Sequence, residues 1–137
     1  MVKLPFGIDI RNVIDELRLV SWEASENLLY YAQLLKNSQN KQVFLQNHDK
    51  NNPVTLADLK VNEIIIRRIR ESYKDVHWNI LSEENVKTVS ENLEETSDWT
   101  WILDPLDGTK DFIQGTGNYA MHLALNYKRK PYLGIVL

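Results

Sequence analysis

Asp104 and Asp107 stand on either side of Pro105-Leu106 and run directly into Gly108-Thr109. Carboxylates supply the oxygen ligands that hard divalent cations prefer. The apolar run Trp101, Ile102, Leu103 before them reads as a strand, Trp99 to Leu103, covered on both faces. Pro105 has no N–H to give, so it stops regular pairing, and both aspartates can point at one spot beyond the strand end. Asp107-Gly108-Thr109 reads as the start of a helix, with Asp107 as its cap and free amides that favour an anion. One locus for a cation and a phosphate follows from these residues. A plain turn is the competing reading, since Pro-x-Asp-Gly between apolar runs is ordinary turn chemistry.

The elements that must position this stretch can be taken in chain order. From Asp9 to Lys36, Ile10, Ile14, Leu17, Ala24, Leu28, Tyr31 and Leu35 recur at helical spacing, with Ser21 on the same stripe. This predicts one long helix laid on a sheet. Val43 to Leu45 reads as a short strand, and Gln46 to Asn52 as a polar loop in which His48 is solvated. A second helix is expected from Thr55 to Tyr73, with Thr55 as N-cap and Asp58 as the carboxylate half of a capping box. Trp78 to Leu81 reads as a strand leading to Ser82-Glu83-Glu84. On a strand those two glutamates point to opposite faces, so at most one serves a shared site. Asn85 to Asp98 is polar and acidic, with a helical turn expected around Val89–Leu93.

Tyr119 to Asn126 and Tyr132 to Leu137 alternate as strands, joined by a turn at Lys128-Arg-Lys-Pro131. His122 is expected to be packed or hydrogen-bonded. Gln114-Gly-Thr-Gly117 lacks the preceding strand and spacing of a dinucleotide loop. Bulk properties narrow the class further. The chain has 137 residues and a net charge of −3, so a broad electrostatic footprint for nucleic acid is not indicated. It has no cysteine, which excludes disulfides and cysteine–zinc sites. The first residues carry no apolar core of signal-peptide length, and no run is long enough to span a membrane. A cytoplasmic protein is the expectation.

The string Asp104-Pro-Leu-Asp-Gly-Thr109 is similar to the metal-binding motif of the inositol monophosphatase superfamily. Its continuation Lys110-Asp-Phe-Ile113 resembles the 3'(2'),5'-bisphosphate nucleotidase (CysQ-like) branch. Pro53-Val-Thr-Leu-Ala-Asp58 and Leu81-Ser-Glu-Glu84 resemble the two other motifs of that family, in the same order. The resemblance implies an α/β fold: the N-terminal half of a layered α-β-α-β-α sandwich, with a mostly antiparallel sheet and two long helices. It also implies Mg²⁺-dependent hydrolysis of a phosphate monoester. Glu83, Asp104 and the carbonyl of Leu106 would hold one ion, and Asp104 would bridge to a second that Asp107 also ligates. Thr109, aided by Asp58, would orient the attacking water. The amides of Gly108 and Thr109 would hold phosphate oxygens, with Lys50 as a nearby basic residue.

The substrate implied is 3'(2')-phosphoadenosine 5'-phosphate, with inositol or sugar phosphates as the alternative. Haloacid-dehalogenase phosphatases use similar letters, Asp-x-Asp-Gly-Thr, but here two residues separate Asp104 from Asp107. The family's members are about twice this length, so the chain reads as their N-terminal portion, ending within an apolar strand at Leu137. A fragment with only weak metal binding is the remaining alternative. Such a fragment would present an unpaired apolar edge that invites self-association.

Overall fold

The computed structural model describes residues 2–5, 7–37, 53–88 and 97–137. Helix α1 spans Ile10–Lys36 and α2 spans Pro53–Ser72. Strand β1, Asn79–Ser82, leads into the short helix α3, Glu83–Thr88. Then come β2, Trp99–Asp107; α4, Thr109–Gln114; β3, Ala120–Tyr127; and β4, Lys130–Val136. The expected strand at Val43–Leu45, the helical turn at Val89–Leu93, His48 and Lys50 lie outside the described residues.

The stripe on α1 explains its place. Asp9 caps it by accepting the Arg11 amide at 2.9 Å, and Val13, Leu17, Val20, Ala24, Leu28 and Leu35 are buried. These join Val61, Ile65 and Ile69 of α2 and the inward residues of the sheet in one core. Glu23 reaches Arg67 at 3.1 Å, and Glu16 accepts from the Ser72 hydroxyl at 3.0 Å, so the two helices run antiparallel. Both contacts are on the surface and add little to stability; the buried stripe holds the pair. The start of α2 departs from expectation. The helix begins at Pro53, a residue suited to the first turn because its missing N–H is not needed there. Thr55 therefore lies inside the first turn and is not the N-cap.

The sheet order is β1-β2-β3-β4, with β1 parallel to β2 and the other neighbours antiparallel. Along β2, Trp99, Trp101 and Leu103 turn inward while Ile102 is exposed on the opposite face. Trp78, Trp99 and Trp101 meet edge to face, with ring centroids 6.3 Å and 5.8 Å from Trp78. β2 is longer than the apolar run that announces it. It continues through Pro105 to Asp107, with a shift of register between Asp104 and Asp107. Such a shift absorbs a proline within a paired strand.

The β3–β4 turn is tighter than expected. Only Lys128 and Arg129 lie between the paired Tyr127 and Lys130, and their φ values are +48° and +64°. A two-residue turn with both φ values positive suits Asn-Gly, because a side chain in this region costs about 1–2 kcal/mol. Arg129→Gly should therefore raise stability by about 1 kcal/mol, read as a higher urea midpoint at unchanged slope.

Candidate active site

Parallel pairing sets the first contact of the site. Ser82 is level with Leu103 across β1 and β2, so the residues that follow them in the chain, Glu83 and Asp104, emerge side by side. Across the antiparallel pair, Asp104 is opposite His122. Glu83 at the start of α3, Asp104 on β2 and His122 on β3 thus lie side by side, on the sheet face turned away from α1 and α2. With Ile102, Ala124, Gly134 and Val136 they border a depression of about 550 Å³. A larger cleft of about 840 Å³ opens near the start of β2, beside Lys3, Asp98, Lys128 and Arg129. It contains none of the motif residues.

The register shift builds the rest of the site. Pro105 and Leu106 are buried, and the Leu106 amide donates to Oδ1 of Asp104 at 3.1 Å. The Asp104 side chain therefore closes its own turn. Thr109 sends its hydroxyl back to the Leu106 carbonyl at 3.4 Å, a long contact that leaves the hydroxyl at the rim. Asp107 does not cap α4. The N-cap is Gly108, at φ +82° and ψ +38°, with no side-chain hydrogen bond. Only glycine fits there, since a Cβ on Gly108 would sit 2.6 Å from the Asn118 carbonyl oxygen. Freed from capping, Asp107 is exposed, and its Oδ2 is 3.8 Å from Nδ1 of His122.

Glu83 and Glu84 are not on a strand, as expected, but in the first turn of α3. Carboxylates are stabilised there by the helix dipole. The Glu83 and Asp104 carboxyls lie close enough for each to act on the other's charge. The Asp104 carboxyl is held above its ordinary range, first by burial and next by the Glu83 charge. The Leu106 amide opposes this shift, and Asp107 adds to it. A divalent cation among these oxygens would relieve the crowding, so the donor set suits a hard metal. Among the described residues, no three acidic or imidazole side chains are drawn close enough to hold an ion.

Asp58 sits on α2, half-buried, with Oδ1 closed off from solvent. One turn further on, Asn62 accepts a very short hydrogen bond from the buried hydroxyl of Ser82. That bond ties the end of β1 to the helix carrying Asp58, immediately before Glu83. Sequence reasoning passed over Asn62, gave Ser82 no role of its own, and expected His122 only to be packed or hydrogen-bonded. The available signal for Asn62 was its spacing of one helical turn from Asp58. His122 gave none without the strand register.

Comparison with known proteins follows the same geometry. The profile of the inositol monophosphatase family matches residues 9–137. The 3'(2'),5'-bisphosphate nucleotidase CysQ of Haemophilus influenzae is 30% identical over 127 residues, covering 91% of this chain and 43% of that protein. The enzyme of the same name from Escherichia coli K12 is 39% identical over 88 residues, 63% of this chain and 33% of its own length. Among solved structures, the suppressor protein suhB of Bartonella henselae superposes with a TM-score of 0.66 at 23% identity. It covers 91% of this chain and 43% of that one. CysQ from Bacteroides thetaiotaomicron, described as a bacterial member of the inositol monophosphatase family, gives 0.58 at 27% identity, over 82% and 37%. The chain therefore spans less than half the length of these relatives.

Proposed function

The chain belongs to the inositol monophosphatase family, and on that premise we propose that it carries the metal-binding and water-orienting part of a phosphomonoesterase acting on 3'(2')-phosphoadenosine 5'-phosphate. The observation that supports this most is the Glu83–Asp104 carboxyl pair, placed beside a turn that Asp104 closes itself. Glu83, Asp104, the Leu106 carbonyl and Asp107 would hold Mg²⁺. When bound, the ion supplies Lewis-acid polarisation of phosphate oxygens and lowers the pKa of water.

The chain's own residues supply the rest. The Thr109 hydroxyl, anchored on the Leu106 carbonyl, would accept and orient the attacking water, with Asp58 receiving the proton. The amides of Gly108 and Thr109 would donate to phosphate oxygens where charge accumulates. Lys50, outside the described residues, would add a positive charge near the phosphate.

The test uses a chain extended to the length of its relatives. Thr109→Ala should lower turnover on 3'-phosphoadenosine 5'-phosphate by ~10²-fold, the scale of losing a positioned acid–base contact. KM should change much less. Equal turnover of the two proteins would remove Thr109 from the reaction. Preference for inositol phosphate would move the substrate assignment to the neighbouring branch, and an inactive extended chain would overturn the reading.

A further inference from the structure

Asp104 and Asp107 are three residues apart, so plain alternation along β2 would turn them to opposite faces of the sheet. The register shift prevents this. Three steps of β2 match two of β3, with Asp104 opposite His122 and Asp107 opposite Ala120. The extra residue returns Asp107 to the outer face, on the same side as Asp104. His122, two residues beyond Ala120, faces the same way and is the diagonal neighbour of Asp107. Its Nδ1 lies 3.8 Å from Oδ2 of Asp107.

The two aspartates are not held alike. Asp104 is half-buried and accepts from the Leu106 amide at 3.1 Å. Asp107 is exposed, caps no helix, and accepts no hydrogen bond from any described residue. A carboxylate free to rotate loses rotamer entropy when an ion captures it, and ligands of this kind are usually oriented by a neighbour. The surroundings leave that task to His122. Ala120 and Ala124, to either side of it on the outer face of β3, are too short to reach. Val136, opposite it on β4, is apolar. Among the described residues, no other basic side chain comes within ion-pair distance of Asp107.

We propose that His122 is a positioning residue of the metal site, its Nδ1–H steering the Asp107 carboxylate into the orientation in which it meets the ion. This role rests on the reading of Asp107 as a metal ligand. A neutral imidazole suffices, since Nδ1 then donates while Nε2 accepts. The His122 and Asp107 side chains are 43% and 61% exposed, so a small rotation closes their gap to hydrogen-bond distance. Pinning one oxygen of Asp107 leaves the other for the ion.

Two measurements on the 137-residue chain test the proposal. The first needs no metal. Nitrogen NMR in chelator should show the neutral His122 ring protonated at Nδ1. Asp107→Ala should return that proton to Nε2, the position favoured in free histidine. The second is calorimetry with Mg²⁺. His122→Leu should lower affinity at least ~10-fold, as for losing a group that orients a ligand. His122→Asn puts an amide Nδ2 where Nδ1 stood and should restore most of that affinity. In an Asp107→Ala background His122→Leu should cost nothing further, because the two side chains act as a unit.

A wild-type ring protonated at Nε2 overturns the proposal, whether or not Mg²⁺ binds. So does affinity unchanged in His122→Leu. Equal losses in His122→Leu and His122→Asn would make the ring itself a ligand and overturn the positioning role. These three results leave the metal reading of Asp107 in place. A wild type that binds no Mg²⁺ overturns that reading, and this role with it.

Discussion

Asp104→Asn should sharply weaken divalent-cation binding and, in the same protein, make the metal-free fold more stable. The two effects share one cause. The Asp104 carboxyl sits above its ordinary range because burial and the Glu83 charge disfavour its ionised form. An acid raised in the folded state contributes no penalty below its unfolded pKa. It costs stability progressively as pH rises toward the folded value, and the full cost persists above it. The metal-free wild type should therefore lose stability as pH rises from the carboxylate range to neutrality. Asparagine does not ionise, so the variant should escape most of that loss while its carbonyl oxygen still accepts the Leu106 amide. Urea melts in chelator, at acidic and neutral pH, measure the difference. Calorimetry with Mg²⁺ should show affinity reduced by ~10²-fold or more, beyond the 10–100-fold typical of losing a residue that only supports a ligand. Unchanged affinity would remove Asp104 from the metal site.

Gly108→Ala should cost more than any other glycine replacement in the chain. At φ +82° a side chain brings about 1–2 kcal/mol of backbone strain by itself. The added Cβ would also stand 2.6 Å from the Asn118 carbonyl and 3.2 Å from the Tyr119 Cα, both backbone atoms that cannot swing aside. The total should exceed about 3 kcal/mol, in the range reserved for steric and backbone conflicts. Gly115→Ala and Gly117→Ala are the controls. Their φ values are +70° and +83°, yet nothing lies within 4 Å of the added carbon. Each should lose only the conformational cost, about 1 kcal/mol. Near-equal midpoints for all three variants would show that the approach of β3 to the α4 start is looser than described. The Gly108 replacement should also displace Thr109, so its loss of turnover in an extended chain should exceed its loss of stability.

The long helix was legible because 27 residues repeat one period many times, although Asp9, read as its first residue, is its N-cap. Short apolar runs separated by turn residues marked the strands, while the α/β class and the mostly antiparallel sheet were implied by the family resemblance of the motifs. What escaped reading depends on contacts between segments. β2 continues past Pro105 only because β3 lies beside it to take the shifted register. Gly108, not Asp107, is the cap because the helix starts at Thr109, and glycine is needed there because Asn118 and Tyr119 close over that corner, ten residues downstream. The start of α3 at Glu83 leaves no periodic trace in a six-residue helix. Motif letters named the Glu83–Asp104 neighbourhood, but only the parallel pairing of β1 with β2 explains why the two side chains meet.

The tryptophans give this protein two separate optical signals. Trp78, Trp99 and Trp101 form one chain of edge contacts, with Trp99 and Trp101 buried on the strand that carries Asp104. Trp22 stands apart in solvent. Emission excited in the indole band should therefore divide into a blue component, insensitive to aqueous quencher, and a red component that iodide removes. Rings this close and crossed at steep angles also couple electronically, so the near-ultraviolet dichroism should report the state of β2 almost alone. Titrating denaturant should move the blue component and the dichroism together, and leave the red component nearly unchanged. Unfolding of the sheet and the surroundings of α1 can then be followed in one cuvette without a label.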